Sequence, residues 1–135
     1  MRSLLLLFGA CLLLAGCYGP PSTEELSRLD YGAPPTDYEE AIKAYFYLRL
    51  TDPYTAVYEF MTPPRKGWIR VGDTFNQTLF GGYIATATVN SKNLYGGYAG
   101  RQGWAIYFRN GKIELAAPME LQGSRWGFAE SGTDH

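Results

Sequence analysis

The side chains able to do covalent or metal chemistry are few in this chain. Its 135 residues hold two cysteines, Cys11 and Cys17, and a single histidine, His135. Cys11 sits inside a leucine-rich apolar run from Leu4 to Leu14, and Cys17 closes the tetrapeptide Leu14-Ala15-Gly16-Cys17 just beyond it. A thiol placed after a basic start (Met1-Arg2), an apolar core and small residues has the setting of an exported chain's processing site. A second concentration of polar chemistry lies far downstream, in Asn90-Ser-Lys-Asn-Leu-Tyr-Gly-Gly-Tyr-Ala-Gly-Arg101. There Lys92, Asn93, Tyr95, Tyr98 and Arg101 could stack on and hydrogen-bond a ligand, with glycines letting the backbone approach.

The Leu14-to-Cys17 tetrapeptide resembles the lipobox of bacterial lipoproteins at all four positions. Physical length agrees: about 13 apolar residues make a helix of about 20 Å, whereas a bilayer core of about 30 Å needs about 20 residues. The resemblance implies a signal peptide over 1–16, cleavage before Cys17 and a diacylglycerol on its sulfur. The membrane would then be a partner through this N-terminal lipid. Tyr18 stands where an aspartate marks inner-membrane retention in some Gram-negative bacteria. Outer-membrane anchoring with a periplasmic domain follows for such a host. The plainer alternatives are an ordinary secretory signal or an uncleaved helix, with Cys17 incidental.

On the lipoprotein reading no free thiol survives, which excludes a disulfide, a thiolate nucleophile and a cysteine metal site. His135 is terminal, so neither a Ser-His-Asp triad nor a histidine zinc site can be assembled. Twelve basic against thirteen acidic residues argue against a nucleic-acid partner. Asp37, Glu39 and Glu40 suit a helix start, and Glu59 and Glu114 suit solvent-facing strand positions; none is nominated as half of a catalytic pair. No catalytic residue, metal site or cofactor is expected. The glycine-rich piece lacks the lysine and following helix of a phosphate-binding loop.

The elements that must position the loop follow from periodicity. Residues 17–36, with Pro20, Pro21, Pro34 and Pro35, read as a lipidated cysteine and a tether reaching at most about 60 Å; Ser22 and Glu25 have capping-box spacing there. The domain is expected over 37–128, with a loose tail over 129–135. A second capping box, Thr36 with Glu39, opens a helix from Asp37 to Leu50, and Tyr38, Ala41, Ile42, Tyr45 and Phe46 form its apolar stripe. Asp52-Pro53 ends it. Period-two segments follow at Val57–Phe60 (stopped by Pro63-Pro64), Gly67–Val71 and Gly81–Asn90, the last with a wetter threonine face. Asn110-Gly111 between Trp104–Arg109 and Lys112–Ala116 predicts a type I′ hairpin. It would pair Phe108 with Ile113 and Ile106 with Leu115 on one face, and Tyr107 with Glu114 on the other. Arg125–Phe128 could add an edge strand. The sum is an α+β fold: one amphipathic N-terminal helix packed on a small antiparallel meander.

Asp52-Pro53-x-x-Ala56, Gly67, Val89-Asn90-x-Lys92-Asn93-x-Tyr95-Gly96-Gly97-Tyr98-x-Gly100 and Asn110-Gly111 together resemble a group of small uncharacterised lipoproteins and exported proteins of Gram-negative bacteria. The resemblance spans about Thr51 to Leu115 and implies no activity. Against a recognition loop at 90–101 stands the plainer reading of a long strand connection, its tyrosines folded over the sheet edge. The glycine pairs Gly81-Gly82 and Gly96-Gly97 read as bends at strand ends. The functional expectation is a non-catalytic, lipid-anchored envelope protein acting through another envelope component. A module binding cell-wall glycan or peptide through Tyr95, Tyr98 and Arg101 is the alternative, and a small hydrolase ranks last.

Overall fold

A computed structural model describes residues 19–129. Cys17, the expected signal peptide and positions 130–135 of the expected tail lie outside the described residues. Ala129 is described, and its N–H donates to Lys66 O at 2.9 Å.

The chain runs α1 (Thr23–Ser27), α2 (Tyr38–Tyr47), β1 (Val57–Gly72), β2 (Gln77–Asn90), β3 (Gln102–Arg109), β4 (Lys112–Pro118) and β5 (Trp126–Phe128). Short 3-10 turns stand at Pro53–Thr55 and Met119–Leu121. All strands form one antiparallel sheet of order β4-β3-β2-β1-β5. The expected balance of helix and meander is therefore wrong. Strand takes 46% and helix 19% of the described residues, and α2 is the one substantial helix among them. Nor is the order a simple meander, because β5 returns to the far side of β1.

Pro63-Pro64 misleads as a stop signal. β1 passes through the pair as a single 16-residue strand, with register shifts between Phe60 and Thr62 and between Thr62 and Arg65. A proline removes one ladder donor, and a bulge is where a strand tolerates that loss. Each bulge exchanges the two faces, so the second restores the first. Ahead of both bulges, Tyr58 and Phe60 pair with Val89 and Ala87 and pack into the same core as Ala85.

That core lies under α2, where Ile42 and Phe46 are buried against Ile106 and Phe108. α2 is shorter than expected, and Asp37 rather than Thr36 is its N-cap, with no side-chain cap bond. The Ser22–Glu25 capping box does form, with bonds of 3.2 and 2.8 Å.

The opposite face is not wet. Ile84 and Thr86 are buried there, and Ile84 packs with Ile69, Ala105, Tyr107, Ala117 and Trp126 in a second core. The connection from β4 to β5 makes this possible by bringing the two outer edges together: Trp126 Nε1 donates to Pro118 O at 3.1 Å. The β3–β4 turn has positive φ at Asn110 and Gly111, as a type I′ turn needs. Phe108 pairs with Ile113 as expected, but a register shift follows and sets Leu115 opposite Tyr107 and Ala116 opposite Ile106. The irregularity carries Leu115 into the second core and leaves Glu114 exposed.

Residues 19–36 do not run free as a tether. Pro21 is buried, Ala33 N–H donates to Asn110 Oδ1 at 3.3 Å, and Arg109 donates to Asp30 O. Gly81 admits this strap: an added Cβ would stand 2.9 Å from Asp30 O and 3.0 Å from Leu29 Cβ. Gly81-Gly82 is thus a buried crossing inside β2, not a bend at its end.

Candidate functional site

Where β2 runs out, Asn90 and Asn93 organise the glycine-rich segment. Asn90 Oδ1 accepts from Gly100 N–H at 3.0 Å, and Ala99 N–H donates to Ser91 O at 3.0 Å. Within this clasp, residues 92–98 form a miniature hairpin joined by a Lys92–Tyr98 bridge. Asn93 Oδ1 accepts from Tyr95 and Gly97 N–H at 2.9 and 3.3 Å, and Gly96 takes a φ of +82° to close the turn. Asparagine is suited to this because its side chain mimics a backbone turn. The segment is also tied to the rest of the domain, since Lys92 N–H donates to Thr55 Oγ1 at 2.9 Å.

The hairpin walls a cleft of about 470 Å³ between the C-terminal end of α2 and the start of β3. Tyr45, Phe46 and Trp104 supply aromatic surface, and Arg49, Lys92, Asn93, Ser91 and Gln102 supply polar groups. The Arg49 guanidinium lies 3.5 Å from the Tyr45 ring centroid, and its Nη1 donates to Tyr45 O at 2.8 Å. A cation is well placed at that end of a helix, where the carbonyl dipoles point outward. Lys92 Nζ stands 5.8 Å from the Tyr98 ring centroid. Among the described residues that line the cleft there are two cations and no carboxylate. Such a lining attracts an anion whose body carries apolar or ring surface.

The five predicted loop residues do not act as one group. Lys92 and Asn93 line the cleft, but Tyr95 projects at the hairpin tip with 95% of its surface exposed. Tyr98 lies half-exposed behind Lys92. Arg101 is not among the residues that line the cleft: its Nη1 is 3.1 Å from Glu59 Oε2, and it lines a second depression of about 370 Å³ with Glu120, to which Gln102 and Trp104 also contribute. Tyrosines folded over the sheet edge are not what the tip shows. Arg49, Gln102 and Trp104 were not singled out in the sequence. Arg49 had a usable signal, as a cation off the apolar stripe at the C-terminal end of the expected helix, which the structure ends at Tyr47. Trp104 had none, because only the sheet register places it opposite Ala87 and under Phe46.

Burial raises Tyr107 and Tyr58 above the usual phenol value of 10.0. Asp73 lies below its ordinary 3.8 because the N–H groups of Asn76 and Phe75 bond its carboxylate. No group of three or more potential metal ligands gathers among the described residues. No protein-family model, curated protein or solved structure matches the chain.

Proposed function

We propose that this chain is a lipid-anchored envelope protein, held to a membrane through Cys17, whose small domain is non-catalytic and works by contact. The observation that carries the contact reading is the cleft: two cations and three aromatic rings with no carboxylate in its lining. Such a lining suits holding an anionic partner group, not cleaving it. Exposed Leu94 and Tyr95 stand beside it on a turn that Asn93 keeps rigid. An envelope component presenting a carboxylate or phosphate next to an apolar side chain fits this end of the molecule. Outer-membrane residence in a Gram-negative host rests on Tyr18 after the lipidated cysteine.

The test is photocrosslinking in intact envelopes from a benzophenone amino acid at position 95, with position 112 on the distant β3–β4 turn as control. A discrete adduct from 95 and none from 112 is expected. Equal labelling from both positions would remove the contact reading. Cys17→Ser should abolish fatty-acid labelling and release the protein from membranes; unchanged fractionation would remove the anchor reading.

One feature favours cell-wall peptide or glycan as the partner, namely the flat Trp104 and Tyr45 surfaces beside Arg49 and Lys92. Aromatic faces with nearby cations suit a carboxylate-bearing saccharide or short peptide. Co-sedimentation of the acylated protein in detergent with purified peptidoglycan checks this, and protein left wholly in the supernatant counts against it.

A further inference from the structure

We infer that the end of the β1–β2 hairpin is a second membrane contact, laying Phe75 into a phospholipid surface beside the lipid anchor. The inference rests on the lipid-anchor reading of Cys17. β5 pairs with β1 no further than Ile69, and β3 pairs with β2 no earlier than Tyr83. Val71–Gly72 and Gln77–Thr78 therefore project as a short two-stranded arm, braced at its base where Arg70 N–H donates to Arg125 O at 2.8 Å. At 3.3 Å per residue the ladder from Arg70 to Gly72 rises about 7 Å, and the turn over 73–76 sets Phe75 about 10 Å beyond the sheet in all.

Phe75 is 92% exposed at this tip, and Val71 on the arm and Phe80 at its base are exposed as well. The turn is tied rather than loose. Asp73 Oδ1 accepts from Phe75 and Asn76 N–H at 2.9 and 2.8 Å, so the backbone itself holds the aromatic ring outward. Three apolar side chains fall well short of the roughly 1,200 Å² that a stable protein interface buries. A lipid surface asks for less, because an acyl anchor already confines the domain to it.

Where the chain leaves the domain decides the occupant. Arg70 Nη1 donates to Gly19 O at 2.8 Å, pinning the first described residue to the base of the arm. Cys17 is two residues earlier, and two peptide links span no more than about 7.6 Å. An acyl chain on that sulfur therefore enters the bilayer next to the arm. Arg125, whose Nη1 donates to Gly72 O at 3.0 Å, joins Arg70 as a cation facing phosphate headgroups; Asp73 is the carboxylate at the tip. The cleft lies at the other end of β2, about 45 Å away by strand length, directed from the membrane toward a partner.

The test uses the full acylated protein with Phe75→Cys carrying an environment-sensitive fluorophore. Tyr95→Cys, labelled in the same way, is the comparison. With vesicles of phosphatidylethanolamine and phosphatidylglycerol, label 75 should brighten severalfold, shift to shorter wavelength and be quenched by headgroup-level spin labels. Label 95 should keep its emission in water. Protein that floats with the vesicles while both labels report water overturns the arm contact and leaves the anchor standing. Protein that fails to float overturns the anchor, and the arm proposal with it.

Discussion

Gly82→Ala is the substitution that most directly tests how the sheet is put together. Gly82 is buried where β2 pairs with Gly67 of β1 on one side and approaches β3 on the other. An added Cβ would lie 2.5 Å from the Phe108 carbonyl oxygen and against the Tyr107 ring, where ordinary contact begins at 3.4 Å. The strands would have to part by roughly 0.9 Å, the difference between those two distances, at a fully packed position. Tyr107 cannot swing aside cheaply, because its hydroxyl donates to Gly81 O at 2.8 Å in the buried layer. Overpacking typically costs about 1–3 kcal/mol, and stretching a ladder bond adds about 1 kcal/mol, so a loss near 3 kcal/mol is expected. For a domain of this size that lowers Tm by about 10–15 °C. Circular-dichroism melts of Gly82→Ala and Gly97→Ala provide the comparison. Gly97 has nothing within 4 Å of an added Cβ, and its variant should stay within about 0.5 kcal/mol of wild type. If Gly82→Ala melted with wild type, the close approach of β2 to β3 at Phe108, and with it the register of the central strands, would be refuted.

Gly81→Ala should act on the strap instead, because its Cβ meets Asp30 O and Leu29 rather than the sheet. Faster amide exchange over residues 28–33 is expected, and unchanged exchange there would mean that the strap is not seated on β2. Tyr107 and Tyr58 hold their protons more tightly folded than unfolded. Their contribution is therefore complete below the unfolded phenol value of 10.0 and is lost as pH rises above it. Denaturant midpoints should be flat to that point and fall beyond it; the fall should be shallower in Tyr107→Phe. Tyr107→Phe itself should cost only about 0.5–1.5 kcal/mol, since Gly81 O keeps Arg109 Nη1 as a donor at 2.8 Å. In the cleft, Arg49→Ala and Lys92→Ala should each weaken an anionic muropeptide about tenfold, or about 1.4 kcal/mol. Arg101→Ala, outside the cleft, should leave titrated affinity unchanged, and an equal loss in all three would remove the assignment.

Local patterns carried much of the reading. The apolar stripe of α2, the alternation along Gly81–Asn90 and the Asn110-Gly111 turn each depend on neighbours within a few residues, and these elements form. The Pro63-Pro64 break, the wet threonine face and the free tether fail for one common reason: each is decided by what lies across the sheet. A bulge absorbs the prolines because β2 continues alongside them. Thr86 is buried because the chain returns from β4 to β5 over that face. Gly81 and Gly82 look like turn residues in isolation, yet their missing side chains make room for the strap and for β3.

The candidate site divides the same way. Composition and spacing alone marked out the polar, glycine-rich loop and, as an expectation, Cys17 as the residue suited to lipidation. Only tertiary structure decided that Lys92 and Asn93 share a cleft with Arg49 and Trp104, while Tyr95 and Arg101 do not line it. Turn chemistry is local and is written in adjacent residues. A cleft is made by elements some fifty residues apart, and its composition depends on strand register, which two bulges and one hairpin irregularity set.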